Sequence, residues 1–183
     1  MTPRVAETAI VEPGASLGRG VCVWHFAHVR EHAFLGDGVM IGEAAHIGPN
    51  VTIGHSSRIG NKADIHEPAQ IGSYVFVGPM AFIGNDRTPI VGKKWDPQAV
   101  TVGDHAVIGA KASIMGGVTI GPGAVVGMAA VVIRDVAAGA VVVGNPARVV
   151  GERAKHGVGT AFEHWAPLCE GDDCPGCRRV GEP

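Results

Sequence analysis

Two residue pairs carry most of the chemical capacity of this 183-residue chain: an imidazole beside a carboxylate, His66 and Glu67, and an amide beside a carboxylate, Asn85 and Asp86. A histidine titrating near neutral pH can take a proton from an attacking nucleophile or shuttle one to a leaving group. An asparagine amide can fix that nucleophile in place, although an Asn-Asp pair is also ordinary turn chemistry and an exposed corner histidine is an ordinary surface residue. A second constellation is His28, His46 and Asp64, spaced 18 residues apart. Such a ladder could bind a metal, hydrogen-bond a polar ligand, relay protons or form a network at a subunit interface. A third is His164, Cys169, Cys174 and Cys177, with the spacing His-x4-Cys-x4-Cys-x2-Cys. Its Cys-Pro-Gly-Cys end has the tight spacing of a zinc knuckle, and His164 would have to complete a tetrahedral site; free thiols in a tail are the alternative.

The elements that position these groups follow a period of six. Aliphatic residues stand at every sixth position from Val11 to Ile83 and again from Val102 to Val132. Of these 19 hexads, 13 place Gly directly after the aliphatic residue and 18 place Ala, Val or Ser four positions after it, Arg87 being the exception. A helix has a 3.6-residue period and tolerates such glycine poorly, so short strands broken by turns remain. Within each hexad the aliphatic residue and the small residue two places before it share a strand face and point inward. Glycine at the corner avoids crowding that a Cβ would worsen. Pro89 to Thr101, with Lys93, Lys94, Trp95 and Asp96, escapes the frame and must loop out.

One main domain over residues 1–150, with an insertion loop at 89–101 and a tail at 151–183, is the expected organisation. The 15 Lys and Arg against 17 Asp and Glu form no block of like charge, which argues against binding to nucleic acid or a membrane surface. No basic start with an apolar run and no membrane-length apolar stretch is seen, and three of the four cysteines crowd the last 15 residues. A cytoplasmic, reducing setting is therefore expected.

The hexad pattern resembles the hexapeptide-repeat family, an all-β fold in which three hexads make one coil of a left-handed parallel β-helix with a triangular section. The left-handed sense comes from the resemblance alone, since right-handed crossovers are the general rule. Six coils at roughly 4.8 Å each would give a prism about 30 Å tall. Three segments sharpen the likeness: Val23 to Val29 with its Trp-His-Phe-x-His stretch, Gly78 to Arg87 with Asn85-Asp86, and Val143 to Arg148. Together they resemble the nucleotide-sugar N-acetyltransferases that acetylate a 3-amino group. His25, His28, Asn85 and Asp86 match that pattern, whereas Gly84 replaces a usual Thr and Trp95-Asp96-Pro97-Gln98 stands for the more usual Trp-Arg-Pro-Thr.

The resemblance implies acetyl-CoA as co-substrate, a nucleotide-linked amino sugar as acceptor, and a homotrimer with sites in the clefts between prisms. His66, Glu67, Asn85 and Asp86 become the catalytic candidates, and His25, His28, His46, Arg87 and Trp95 the acceptor-binding ones. CoA would run along the C-terminal coils, with Lys111, Gly116, Gly117, Met128 and Arg148 as candidates; Arg148 could meet a phosphate. The small or apolar outward residues Val107, Ser113, Thr119, Val125 and Val131 suit a subunit contact or a pantetheine groove. Zinc knuckles after the prism also occur in some relatives.

Because an amino sugar is a weak base and a thioester is already activated, positioning could supply most of the rate. Sugar O-acetylation on the same scaffold is the alternative activity, and a non-catalytic β-helical assembly module is a further one. A γ-class carbonic anhydrase, on the same prism, is disfavoured because no two histidines are five residues apart.

Overall fold

A computed structural model describes residues 1–92 and 94–153. Among these the chain has no helix: 22 short strands alternate with turns and stack into three parallel sheets, the faces of a β-solenoid. The first face begins Arg4–Val5, Cys22–Val23 and Met40–Ile41; the second Ile10–Val11, His28–Val29 and His46–Ile47; the third Ser16–Leu17, Phe34–Leu35 and Thr52–Ile53. Register advances by 18 residues per coil, as in Cys22↔Met40 and His28↔His46.

About eight turns are present rather than the six expected. The frame starts earlier, at Arg4–Val5, and continues later, at Ala140–Val143, which pairs in parallel with Val125–Val126. An antiparallel strand, Arg148–Glu152, then closes the end of the first face. The compact unit to which it belongs runs from Met1 to Arg153.

The core follows the expected alternation. Ala45 and Ile47, Ala63 and Ile65, and Ala81 and Ile83 are almost fully buried, as are their counterparts in other coils. Ser57 is the buried polar residue of this core; its hydroxyl donates to the Gly72 carbonyl and accepts from the Val75 N–H. Most corners are tight turns, such as the one closed by the Ala45 N–H on the Gly42 carbonyl at 3.2 Å. Its third residue, Ala44, has φ of 52°. This is the pattern of a type II turn, in which the third position must have positive φ.

Glycine directly after the aliphatic residue serves the stacking of coils. A Cβ on Gly36 would lie 2.7 Å from the His55 nitrogen of the next coil. The positive φ falls two residues later, on Phe26, Ala44, Lys62, Met80 and Lys111 among others.

The insertion lies between Phe82–Ile83 and Thr101–Val102. Thr101, expected inside the loop, is already a strand residue paired with Gln70 and Thr119. The loop is pinched at its base, where the Gln98 N–H donates to the Asn85 carbonyl at 2.7 Å.

Candidate functional site

The second face and the two edges beside it gather most of the sequence candidates. Outward positions of successive strands on this face are Ile10, His28, His46, Asp64, Phe82, Ser113 and Val131. Strand register therefore stacks His28, His46 and Asp64 in consecutive coils, as the 18-residue spacing implied.

The exit edge, where the chain turns from the second face to the third, carries His66 and Glu67 one coil below Gly84 and Asn85. Gly116 and Gly117 occupy the same edge one coil above. A Cβ on Gly116 would come within 2.7 Å of the Asn85 carbonyl carbon and 2.8 Å of the Asp86 nitrogen, so the loop base rests directly on this glycine. The half-buried Asn85 makes no side-chain hydrogen bond among the described residues, leaving its amide available to a ligand. Asp86 is engaged locally, its Oδ1 accepting from the Thr88 N–H at 2.9 Å, a turn role for its carboxylate. Arg87 is exposed and reaches the Ile133 carbonyl at 3.4 Å.

His66 and the ladder meet. Asp64 Oδ2 lies 3.2 Å from His66 Nε2, and Asp64 Oδ1 lies 2.9 Å from His46 Nδ1. The three residues each offer a ligand atom within 4.8 Å of the others, a set able to hold a metal ion. The His28 and His66 rings flank His46, each with its centroid 5.8 Å away, and Phe82 packs 5.2 Å from His66.

His28 is held from the coil below, its Nε2 lying 2.6 Å from Glu12 Oε1. Arg30 bridges Glu12 and Glu31 at 2.9 Å to each. The hydrogen bond with Glu31, reinforced by those from His28 and Arg30, holds the Glu12 carboxyl down at about 2 against its own desolvation. Neither the His66–Asp64 contact nor the role of Glu12 was read from the sequence. The available signal was the spacing of two: residues 64 and 66, or 28 and 30, start from the same side of a strand.

The remaining candidates separate. His25 lies on the entry edge, between the first and second faces, with its Nδ1 2.9 Å from Thr8 Oγ1. Lys111 and Met128 occupy that same entry edge, across the second face from Gly116 and Gly117. Trp95 is exposed on the insertion, and Arg148 lies in the closing antiparallel strand. Val107 and Val125 belong to the first face, Ser113 and Val131 to the second and Thr119 to the third, so these five do not form one groove. His164, Cys169, Cys174, Cys177 and Lys93 lie outside the described residues.

No family model matches the sequence, and a search of curated proteins returns no match. Solved structures do match. The acetyltransferase domain of PglB from Neisseria gonorrhoeae FA1090 is 27% identical, with a TM-score of 0.50 over 81% of this chain. The match spans 57% of the length of that protein. A hexapeptide-repeat acetyltransferase from Vibrio cholerae, complexed with acetyl coenzyme A, is 24% identical over 76% of this chain and 70% of its own, with a TM-score of 0.58. AntD, an N-acyltransferase from Bacillus cereus solved with dTDP and coenzyme A, is 18% identical over 88% and 87%, with a TM-score of 0.59. The chain thus carries the hexapeptide-repeat β-solenoid on which these acyltransferases are built.

Proposed function

We propose that this protein transfers an acetyl group from acetyl-CoA to the amino group of a nucleotide-linked amino sugar. One observation carries the reading: His66, oriented by Asp64, stands on the same edge as the available amide of Asn85, one coil below and one residue out of register with it, at the base of the insertion. An imidazole and an amide are groups that amine acylation uses. The 27% identity to an acetyltransferase domain supports the reaction class. The acceptor class rests on the motif resemblance at Trp24-His25-Phe26 and Asn85-Asp86.

In this reading the acceptor amine, held by Asn85, attacks the thioester carbonyl. The new C–N bond forms and the C–S bond breaks. With the His66 Nε2–H donated to Asp64, Nδ1 is the lone pair that takes the amine proton, which then returns to the departing thiolate. Gly116 and Gly117 seat the loop base against the exit edge, with Asn85, Asp86 and Gln98 filling the space a Cβ would take, and so hold Asn85 in position.

The reading carries with it a homotrimer, in which a neighbouring prism completes the cleft over the second face, and a cytoplasmic setting. No described helix is long and apolar enough to cross a membrane. The decisive experiment incubates the protein with acetyl-CoA and a panel of UDP-, dTDP- and GDP-linked amino sugars, following free thiol and product mass. A product heavier by one acetyl group is the expected result; thiol release that no acceptor stimulates overturns it. Light scattering tests the trimer, and a monomer at micromolar concentration removes the shared cleft.

A further inference from the structure

We infer that His46, Asp64 and His66 form a binding site for a first-row divalent transition-metal ion on the second face of the solenoid. The inference goes beyond acyl transfer: an ion on His66 Nε2 would leave the ring proton on Nδ1, so a metal-bound His66 and a proton-accepting His66 are alternative states of one residue.

Two imidazoles and one carboxylate converge, with one ligand atom from each residue inside 4.8 Å. Bonds of about 2.0–2.2 Å from nitrogen and oxygen to such an ion, at angles near tetrahedral or octahedral, put neighbouring ligand atoms about 3.0–3.5 Å apart. The observed separations are 2.9 Å for His46 Nδ1 to Asp64 Oδ1 and 3.2 Å for His66 Nε2 to Asp64 Oδ2. The two imidazole nitrogens lie within 4.8 Å of each other, so the rings need to close by at most about 1–2 Å to share one ion with the carboxylate between them.

The scaffold supplies the order that a metal site requires. His46 and Asp64 are directly paired on adjacent strands, and His66 follows one residue after the end of the second of these. His28 on one side and Phe82 on the other wall the cluster with rings. The three side chains are 33–43% exposed, so an ion and its waters have access from solvent. Asp64 pairs only with these two imidazoles among the described residues, so an incoming cation meets a carboxylate with no lysine or arginine on it. Imidazole with carboxylate suits zinc and its first-row neighbours better than magnesium or calcium, and three protein ligands leave positions for water.

Cobalt(II) is the probe. The full chain carrying Cys169→Ser, Cys174→Ser and Cys177→Ser, which silences the thiols of the tail, is stripped with chelator and titrated with Co2+ by calorimetry and visible absorption. One ion per chain with a micromolar dissociation constant is expected. His46→Asn and His66→Asn, placed in that background and checked for unchanged circular dichroism, should each weaken binding at least about tenfold. His55→Asn, outside the cluster, should leave it unaltered. Absence of saturable binding up to millimolar Co2+, or equal binding by the parent and both cluster variants, overturns the site. Since the titration reads binding without acetyl transfer, its failure leaves the acyltransferase assay untouched, and the converse also holds.

Discussion

His66 and Asp64 meet around the end of a two-residue strand, with His66 Nε2 3.2 Å from Asp64 Oδ2. The strand Asp64–Ile65 stops immediately before His66, and the corner that follows leaves the imidazole on the outward side beside the ladder. A corner residue and a face residue thereby become one unit, with the second nitrogen of His66 directed by the bond at the first.

That unit gives the first prediction. His66→Asn removes the base and should lower kcat/KM for the acetylated amino sugar by about a hundredfold or more, the usual scale of general-base catalysis. Asp64→Asn keeps the imidazole but weakens its alignment, so a smaller loss of about tenfold is expected. Steady-state assays of both variants check the order. Turnover of His66→Asn within twofold of the parent would show that the amine needs no protein base.

Asn85 gives the second. Asn85→Ala should reduce turnover tenfold or more, about 1–2 kcal/mol of lost positioning in the transition state. Gly116→Ala is its structural counterpart, because the new methyl would stand 2.7 Å from the Asn85 carbonyl carbon and push the loop base outward. Both variants should lose acetyl transfer while their thiol-release background stays the same. Parental kcat in both would remove the loop base from the mechanism.

The hexad frame was legible because it is one-dimensional. Every Ile or Val at the sixth position could be assigned inward without knowing its neighbours, and Ile41, Ile59 and Ile108 are indeed fully buried. The ladder was legible for the same reason, since 18 residues is three hexads. Lateral relations were not. Val107, Ser113 and Thr119 are one hexad apart and look equivalent in sequence, yet each hexad turns the corner onto another face. His66 escaped the ladder because the frame assigned it to a corner, although its spacing of two from Asp64 starts it on the same side of the strand. The coil count fell short because terminal repeats such as Arg4–Val5 are exposed and weakly patterned.

The third prediction concerns acid. In the folded chain Glu12 is held at about 2, below the ordinary 4.5, by the hydrogen bond with Glu31 and then by those from His28 and Arg30. A depressed carboxyl means the unfolded chain takes up a proton first as pH falls. The stabilisation from ionised Glu12 is therefore complete above about 4.5 and drains away as pH drops toward about 2. Denaturant midpoints measured across this window should fall more steeply for the parent than for Glu12→Gln. The gap between the two should be widest above the window and close toward its acid end. A gap of constant size would show that the Glu12 carboxyl titrates alike in the folded and the unfolded chain.

The corners give the last prediction, through a pair of opposite substitutions. Ala129 has φ of 55°, in the left-handed region where a Cβ crowds the following carbonyl and costs about 1 kcal/mol or more. Ala129→Gly relieves that crowding, and the greater freedom of glycine in the unfolded chain offsets only part of the gain. A net stabilisation of up to about 1 kcal/mol is expected. Gly36 presents the reverse case, for its φ is not left-handed and its space is filled, with the His55 backbone nitrogen 2.7 Å from where a Cβ would stand. Backbone on the next coil cannot swing aside as a side-chain tip can, so Gly36→Ala must separate two coils along a hydrogen-bonded face. A loss of about 2 kcal/mol or more is expected, the scale of overpacking in a close-packed interior. Thermal and denaturant unfolding of both variants checks the pair. If Gly36→Ala is neutral while Ala129→Gly destabilises, the assignment of one glycine role to coil stacking and the other position to turn geometry is reversed.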